Sequence, residues 1–151
     1  MPGPIIVVDR SAARPLNIVG EHLTVLASSD QTGSYEVFHQ EGAEGSGPPP
    51  HSHPWDEAFY VVRGEVAFGA GGQEAVARAG TFVHVPGGTT HWFRFGPGGG
   101  EMVSLASPGA AARMFTEFDR EIAPDAPDIA KLVEIAGRHG AQIGAPAPSA
   151  A

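Results

Sequence analysis

Cysteine is absent from this 151-residue sequence, and its absence removes several kinds of chemistry at once. Disulfide bridges, thiolate metal sites and cysteine nucleophiles are all excluded. Positive charge is also scarce, because 9 Lys and Arg stand against 17 Asp and Glu and give a formal net charge of -8. Nucleic-acid-binding domains carry basic patches, and anionic membranes repel acidic surfaces. We therefore expect neither a nucleic-acid partner nor a membrane partner.

Long apolar runs are missing as well. The N-terminal segment holds one short apolar stretch, Ile5–Val8, and no basic region precedes it. This is not the pattern of a secretory signal peptide. No stretch approaches the roughly 20 apolar residues that cross a bilayer as a helix. Together these absences predict a cytoplasmic protein.

Glycine and proline, by contrast, are abundant, with 21 and 14 residues. This composition favours short strands joined by tight turns, within one domain. The predicted strands are 5–8, 22–26, 34–40, 57–62, 65–69, 73–76, 81–85, 91–95 and 102–106. The predicted turns include a hairpin at Arg63-Gly64 and a flexible turn over 96–100. Short strands at this spacing predict an all-β sandwich or barrel.

The last third of the chain changes its period. Apolar residues recur at helical spacing from Ala111 to Ile122 and again from Ile129 to Ala136, which predicts two helices. The expected organisation is N-terminal strands in 1–33, a barrel in 34–106, C-terminal helices in 107–143 and a disordered tail in 144–151.

Three histidines and one glutamate stand at intervals typical of a mononuclear metal site. His51 and His53 are two residues apart, so in a strand they project to the same side. Glu57 follows where a local bend would bring its carboxylate to the same ion, and His91 comes from a strand distant in sequence. This ligand set suits one divalent ion of Fe, Zn, Ni, Mn or Cu and does not choose among them.

The residues around these ligands resemble the two motifs of the cupin superfamily. The matching positions are Gly45, His51, His53, Glu57 and Gly64 in the first motif and Gly80, Pro86, Gly88 and His91 in the second. The short separation, 65–79, is similar to that of compact single-barrel bacterial members. Phe95 stands where the second motif usually has an asparagine, which is not a metal ligand. The helical stretch after Ser107-Pro108-Gly109 also resembles small quercetin-dioxygenase-like cupins.

The resemblance implies a double-stranded β-helix, or jelly-roll, barrel with C-terminal helices and a metal-dependent activity. It also implies that Glu57 is a ligand first and a catalytic base second, as in flavonol-cleaving members. The leading hypothesis is a dioxygenase that acts on an aromatic or enolisable hydroxylated small molecule. A zinc-dependent isomerase or polyketide cyclase, and a non-catalytic small-molecule-binding protein, stay open. Together with apolar strand edges and helices, the resemblance implies a homodimer.

Strand parity also predicts the wall of a substrate pocket. Residues two apart share a face, so inward-facing His91 and Glu57 bring apolar neighbours inward with them. The predicted wall is Phe59, Phe93, Phe95, Met102 and Phe38. No Arg or Lys has inward parity beside the ligands, which disfavours a small dicarboxylate substrate. We expect His84 away from the site, and Trp55 at the barrel mouth, as a gate or a subunit contact.

Overall fold

The computed structural model describes residues 3–144, and most of the regular structure in this range is antiparallel β-sheet. The strands are β1 (Leu16–Ile18), β2 (Glu21–Ala27), β3 (Glu36–Gly42), β4 (His51–Ser52), β5 (Asp56–Ala70), β6 (Gln73–Arg78), β7 (Phe82–Val85), β8 (His91–Ser107) and β9 (Gln142–Ile143). The helices are α1 (Ser29–Thr32), α2 (Ala111–Glu121) and α3 (Ile129–Arg138), with a 3-10 turn over Arg10–Ala12. The predicted all-β class with C-terminal helices is confirmed. No helix within 3–144 has the length and apolar character needed to cross a bilayer.

Two long strands, β5 and β8, organise the sheet. Residues 56–64 of β5 pair with 100–107 of β8, and 66–70 pair with 91–95. On its other edge β5 pairs with β6 and β7, while β8 pairs with β3 and β4. β1 and β2 extend the sheet beyond β3. The sheet therefore curls around its own inner face, and β4 comes to lie beside the start of β8.

The hairpin predicted at Arg63-Gly64 is wrong. Gly64 does adopt a positive φ of 79°, as a turn residue would. The chain nevertheless continues as one strand, because residues 66–70 keep pairing with β8 instead of folding back on 57–62. The turn signal marks an irregularity in the register between β5 and β8, not a reversal of the chain.

The flexible turn predicted over 96–100 is also wrong. These residues form a bulge inside β8: Phe95 pairs with Val66 and Gly100 pairs with Gly64, so the four residues 96–99 stand opposite Glu65 alone. Gly98 and Gly99 accept positive φ values of 77° and 75° in this bulge. A Cβ on Gly99 would lie 2.5 Å from the carbonyl oxygen of Gly42. Glycine is required here because backbones approach closely, not because the chain turns.

The ends of the chain depart from prediction in opposite ways. Ile5–Val8 forms no strand and is exposed, with Ile5 at 89%. An apolar run makes a strand only when a sheet edge is available to pair with it, and none pairs here within the described residues. Conversely, β9 was not predicted, and it pairs with β4. The predicted disordered tail lies outside the described residues except for Gly144.

The two predicted C-terminal helices are confirmed. α2 and α3 bury apolar side chains at helical spacing against β1, β2 and the first motif. This packing forms one core cluster: Leu16, Leu23, Phe38, Trp55, Ala106, Ala111, Ala112, Met114, Phe118, Ile122, Ile135, Ala136 and Ala141. A second cluster fills the inside of the sheet: Phe59, Val61, Val66, Phe68, Ala77, Val85, Phe93, Phe95 and Met102. The helices therefore cover one end of the curled sheet.

A buried carboxylate on β3 fixes the start of α2. The residue before the helix, Ala110, has no side chain that can cap it. Instead Glu36 Oε1 accepts a hydrogen bond of 2.9 Å from the backbone N–H of Ala112, and its Oε2 accepts one of 3.1 Å from the backbone N–H of Ser29. Glu36 is 1% exposed. A carboxylate near a helix N-terminus is also favoured by the helix dipole.

We predict that Glu36→Ala lowers the free energy of unfolding by about 1–3 kcal/mol, since it leaves buried N–H groups without acceptors. Urea denaturation followed by circular dichroism measures this change. Glu74→Ala is the matched control, because Glu74 is exposed on β6 and surface substitutions usually change stability by less than about 0.5 kcal/mol. Equal stability of the two variants would contradict the capping role.

Candidate metal centre

His51 and His91 come together because their strands pair. β4 runs antiparallel to the start of β8, with His51 directly opposite His91. Their ring centroids are 4.2 Å apart. His53 lies just past β4, and its ring centroid is 4.9 Å from that of His91. The sheet thus assembles rings from two distant segments at one point.

The turn of the second motif is bonded directly to the first motif. The backbone N–H of Gly88 donates to the carbonyl oxygen of His53 at 2.8 Å. The backbone N–H of Gly87 donates to Asp56 Oδ1, also at 2.8 Å. A Cβ on Gly87 would lie 2.3 Å from the carbonyl oxygen of Pro54, so glycine permits this approach. These contacts fix the two motifs relative to each other.

Backbone carbonyls orient all three imidazoles. The Nδ1 atom of His51 lies 2.9 Å from the carbonyl oxygen of Pro49. The Nδ1 atom of His53 lies 3.0 Å from the carbonyl oxygen of Trp55, and that of His91 lies 2.8 Å from the carbonyl oxygen of Thr89. Because a carbonyl oxygen can only accept, each Nδ1 must carry the hydrogen. In a neutral ring Nε2 then presents a lone pair, which is the form that binds a metal ion.

Glu57 completes a cluster of electron-pair donors. Its Oε2 lies 2.9 Å from His53 Nε2 and 3.1 Å from His91 Nε2. The ligating atoms of all four side chains lie within 4.8 Å of one another. A carboxylate and neutral Nε2 atoms repel at such distances unless a proton or a cation lies between them. Three imidazoles and a carboxylate fit one divalent ion, so this cluster could hold a metal.

The charges in the cluster follow from burial and from these contacts. Burial raises the pKa of Glu57, but when no metal is bound and a proton lies on Nε2 of His53 and of His91, the hydrogen bonds from these rings outweigh burial and bring the pKa to about 2. Burial, together with the charge of His91, lowers the pKa of His51 to about 4. Burial lowers the pKa of His91, but the contact with Glu57 has the larger total effect, so the pKa of His91 is raised overall. At neutral pH Glu57 is therefore ionised and His51 neutral, as metal ligands must be.

Trp55 supports the cluster from one side. Its ring stacks on His53 with centroids 4.3 Å apart and planes 5° from parallel. Trp55 is only 4% exposed, so it does not lie on the outer surface as a subunit contact would, but it does line the cavity at the end of the sheet where the cluster lies. The indole is buried because it fills the space between His53 and the helices. His84, by contrast, is exposed on β7 and belongs to no part of the cluster.

An apolar cavity of about 180 Å³ opens beside the four side chains. His51, His53 and Glu57 line it. The helices contribute Met114, Phe115, Phe118, Ile129 and Leu132 to its wall. Within residues 3–144, no Lys or Arg lines this cavity. A dry apolar cavity of about 150 Å³ accommodates benzene, so this one has room for a molecule with at least one ring.

Of the predicted wall residues, the structure brings Phe93 to the cavity. Phe59, Phe95 and Met102 pack in the second core cluster, and Phe38 packs in the first. None of these four is more than 1% exposed. Strand parity identified side chains that face inward, but it cannot tell which end of a barrel is filled and which is open.

The cavity also contains residues that the sequence reasoning did not select. The spacing of the apolar helix residues predicted the helices, but nothing in the sequence indicated that the helices fold over the metal cluster. Glu21 and Gln40 line the cavity from β2 and β3. They belong to no motif, and their position depends on long-range pairing of strands.

We predict that the protein binds one divalent ion per chain and that His91→Ala weakens this binding by at least roughly 100-fold. The estimate follows because loss of residues that merely orient a ligand already costs about 10- to 100-fold. Calorimetric titration with zinc into metal-free protein, with metal analysis of the loaded sample, measures the effect. His84→Ala removes an exposed imidazole and should bind zinc like the unmodified protein. Equal zinc affinity in both variants would contradict the site.

Comparison with known proteins agrees with this geometry. Residues 38–105 match the model of the Cupin domain family. The fold is similar to an RmlC-like cupin from Shewanella frigidimarina NCIMB 400, with a TM-score of 0.64 and 21% identity over 70% of this chain and 93% of that one. It is also similar to the polyketide cyclase RemF from Streptomyces resistomycificus, with a TM-score of 0.60 and 20% identity over 70% of this chain and 81% of that one.

A curated relative is more similar in sequence. Quercetin 2,3-dioxygenase of Bacillus subtilis (strain 168) is 33% identical over 102 residues, which are 67% of this chain. The chain spans 29% of the length of that protein. Since both motifs, the curled sheet and the domain match agree, the chain contains a cupin domain over residues 38–105.

Proposed function

We propose that the protein is a metal-dependent dioxygenase acting on an aromatic or enolisable hydroxylated small molecule. The observation that carries this proposal is the apolar cavity into which His51, His53 and Glu57 face. The similarity to a quercetin 2,3-dioxygenase supports the same class of substrate. The lack of a lining Lys or Arg within residues 3–144 disfavours a small dicarboxylate, which needs a cation in its pocket.

The four side chains would hold the ion through three Nε2 atoms and the Glu57 carboxylate. When bound, a redox-active divalent ion supplies Lewis acidity toward a substrate oxygen and electrons for chemistry with dioxygen. The carbonyl bonds at Nδ1 keep the imidazoles in one orientation, so the ligand atoms need not reorganise. The side chains that the helices contribute to the cavity wall are apolar, and an apolar wall strengthens electrostatic interactions inside the cavity.

Glu57 has a second role in this proposal, as the proton acceptor. Both histidine contacts fall on Oε2, and within the described residues Oε1 makes none. Oε1 is therefore the oxygen that takes a proton from a substrate hydroxyl.

We predict oxygen uptake by the iron-loaded protein with quercetin or related flavonols, measured with an oxygen electrode. Glu57→Gln should reduce the rate by roughly 100- to 10,000-fold, the usual contribution of a positioned acid or base. His84→Ala should keep the full rate. Because Glu57 is also a ligand, the rate of Glu57→Gln is compared at equal iron content. Undetectable uptake across iron, manganese, nickel and copper, and across flavonols and other enolisable aromatics, would reject the dioxygenase.

Non-redox chemistry is a second candidate, as a zinc-dependent isomerase or polyketide cyclase. Two carboxyl groups, Glu57 and Glu21, line one apolar cavity, and such a pair suits proton transfer without an oxidant. Turnover of an enolisable substrate by zinc-loaded protein under strict anaerobiosis would favour this reaction over the dioxygenase. A third possibility is a binding protein without chemistry, for which His51→Ala would leave small-molecule binding intact.

We also propose that the protein is a homodimer formed through the outer face of the sheet. Tyr60, Val62, Phe82 and Leu105 are exposed large apolar side chains. The register places Tyr60 opposite Phe82 and Ala58 opposite Leu105, so these side chains share one face. Such patches typify protein–protein contacts. A second copy is the occupant favoured here, because a two-fold contact between uncharged patches avoids repulsion between chains of net charge -8.

We predict a dimer mass in light scattering after size-exclusion chromatography, and a monomer mass for Phe82→Glu. In a dimer, the added carboxylate would face the same carboxylate of the second copy or become buried in the interface, and either outcome costs free energy. Val133→Glu is the matched control, since Val133 is an exposed apolar residue on α3. A monomeric unmodified protein, or a dimer that survives Phe82→Glu, would contradict this interface.

A further inference from the structure

Two buried polar side chains outside both motifs face the cavity. Glu21 begins β2 and Gln40 lies on β3, and they are 8% and 4% exposed. Both line the cavity beside Glu57. Gln40 Nε2 donates a hydrogen bond of 3.2 Å to Glu21 Oε1. In the part of the chain that the structure describes, Oε2 of Glu21 makes no hydrogen bond, so it is available to a molecule in the cavity.

The surroundings keep the Glu21 carboxyl uncharged. Burial raises its pKa to about 8, the bond from Gln40 opposes the rise, and the negative charge of Glu57 adds to it. The other titratable groups lining the cavity within 3–144 are His51 and His53. The helices contribute only apolar side chains to the lining, among them Met114, Phe115, Phe118 and Leu132. A neutral carboxyl that accepts at Oε1 has its O–H on Oε2, where it can donate.

A carboxyl group in this place destabilises the fold. An apolar residue would fit the site, as Leu23 does at the next inward position of β2. Burying a polar group with half of its hydrogen-bonding capacity unused costs free energy. A group of this kind, facing a cavity that also contains possible metal ligands, is typical of a functional site.

We propose that Glu21, positioned by Gln40, recognises the substrate by donating a hydrogen bond from its carboxylic acid to a carbonyl or hydroxyl oxygen. This inference rests on the proposed function, since it takes the occupant to be a small aromatic or enolisable compound. Such a substrate carries oxygen at two places, one toward the four ligands and one toward Glu21, with an apolar body between them. Glu21 is then a residue that determines specificity.

The matched ligands 1-tetralone and tetralin test this role. Both have two fused rings, neither titrates, and only the ketone has an oxygen that can accept a hydrogen bond. Their affinities are measured by calorimetry on the full chain loaded with zinc, which supports no redox turnover. Well below the pKa of Glu21, which burial raises, the unmodified protein should bind 1-tetralone about tenfold more tightly than tetralin, as one neutral hydrogen bond provides.

Two variants separate the hydrogen bond from other effects. Glu21→Leu has no donor and should bind the two ligands with nearly equal affinity. Glu21→Gln keeps an N–H donor and should retain most of the preference for the ketone. Circular dichroism and zinc content establish that each variant is folded and loaded. A preference in Glu21→Leu equal to that of the unmodified protein overturns the inference.

The dependence on pH provides an independent readout. Below its pKa, which burial raises, the Glu21 carboxyl is protonated and donates; above that pKa the carboxylate only accepts and repels the ketone oxygen. The preference for 1-tetralone should therefore disappear as the pH rises through the raised pKa of Glu21 in the unmodified protein and stay constant in Glu21→Gln. If Glu21→Leu does not fold, the comparison of pH profiles between the unmodified protein and Glu21→Gln still tests the inference. Identical pH profiles for the unmodified protein and Glu21→Gln overturn the inference.

This binding assay is separate from the assay of the reaction. If no oxygen uptake is detected but the preference for the ketone is present and depends on Glu21, the dioxygenase is rejected and the recognition role of Glu21 is retained. Oxygen uptake with no effect of Glu21 on ligand preference rejects the recognition role alone.

Discussion

The site depends on three hydrogen bonds between imidazole Nδ1 atoms and backbone carbonyls. They fix the tautomer of His51, His53 and His91, and they turn the Nε2 lone pairs of His53 and His91 toward the Glu57 carboxylate. Since the acceptor carbonyls belong to residues within two positions of each histidine, ring orientation is set by local backbone. The long-range part is the pairing of β4 with β8 together with the bonds from Gly87 and Gly88 to the first motif, and these contacts bring the two motifs together. Fixed acceptor atoms with no donor among them require a cation or a proton, and a metal ion meets that requirement most fully.

The rest of the fold gives this cluster its chemical surroundings. Glu57 lies near the start of β5 and His91 begins β8, at opposite ends of the antiparallel pairing between these strands, and the curl of the sheet brings them together. The inner faces of the two strands form an aromatic core on one side. On the other side α2 and α3 cover the cluster and leave an apolar cavity. Glu36 fixes the start of α2 from β3, so the covering of the cavity is tied to the sheet itself. One side of the ligands is thereby filled with protein, and the other is open to a small molecule.

The residues with fixed spacing were the ones that the sequence could predict. The two motifs and the helical period identified the cluster and both helices, because each depends on local geometry. The hairpin at Arg63-Gly64 and the turn over 96–100 were wrong because glycine has two uses, in turns and in bulges where backbones meet. The cavity wall was mostly missed because it depends on where the helices dock. Glu21 gave no signal, since its neighbours in the cavity come from distant parts of the chain.

The central claim is that His51, His53, Glu57 and His91 jointly hold one ion. Anomalous diffraction from crystals of the protein grown with zinc, recorded at the zinc absorption edge, tests it most directly. We expect a single strong peak within the cluster, about 2.0–2.2 Å from the three Nε2 atoms and a Glu57 oxygen. A zinc-loaded crystal with no peak there, or with the ion held by other residues, would contradict a shared ion at these four side chains.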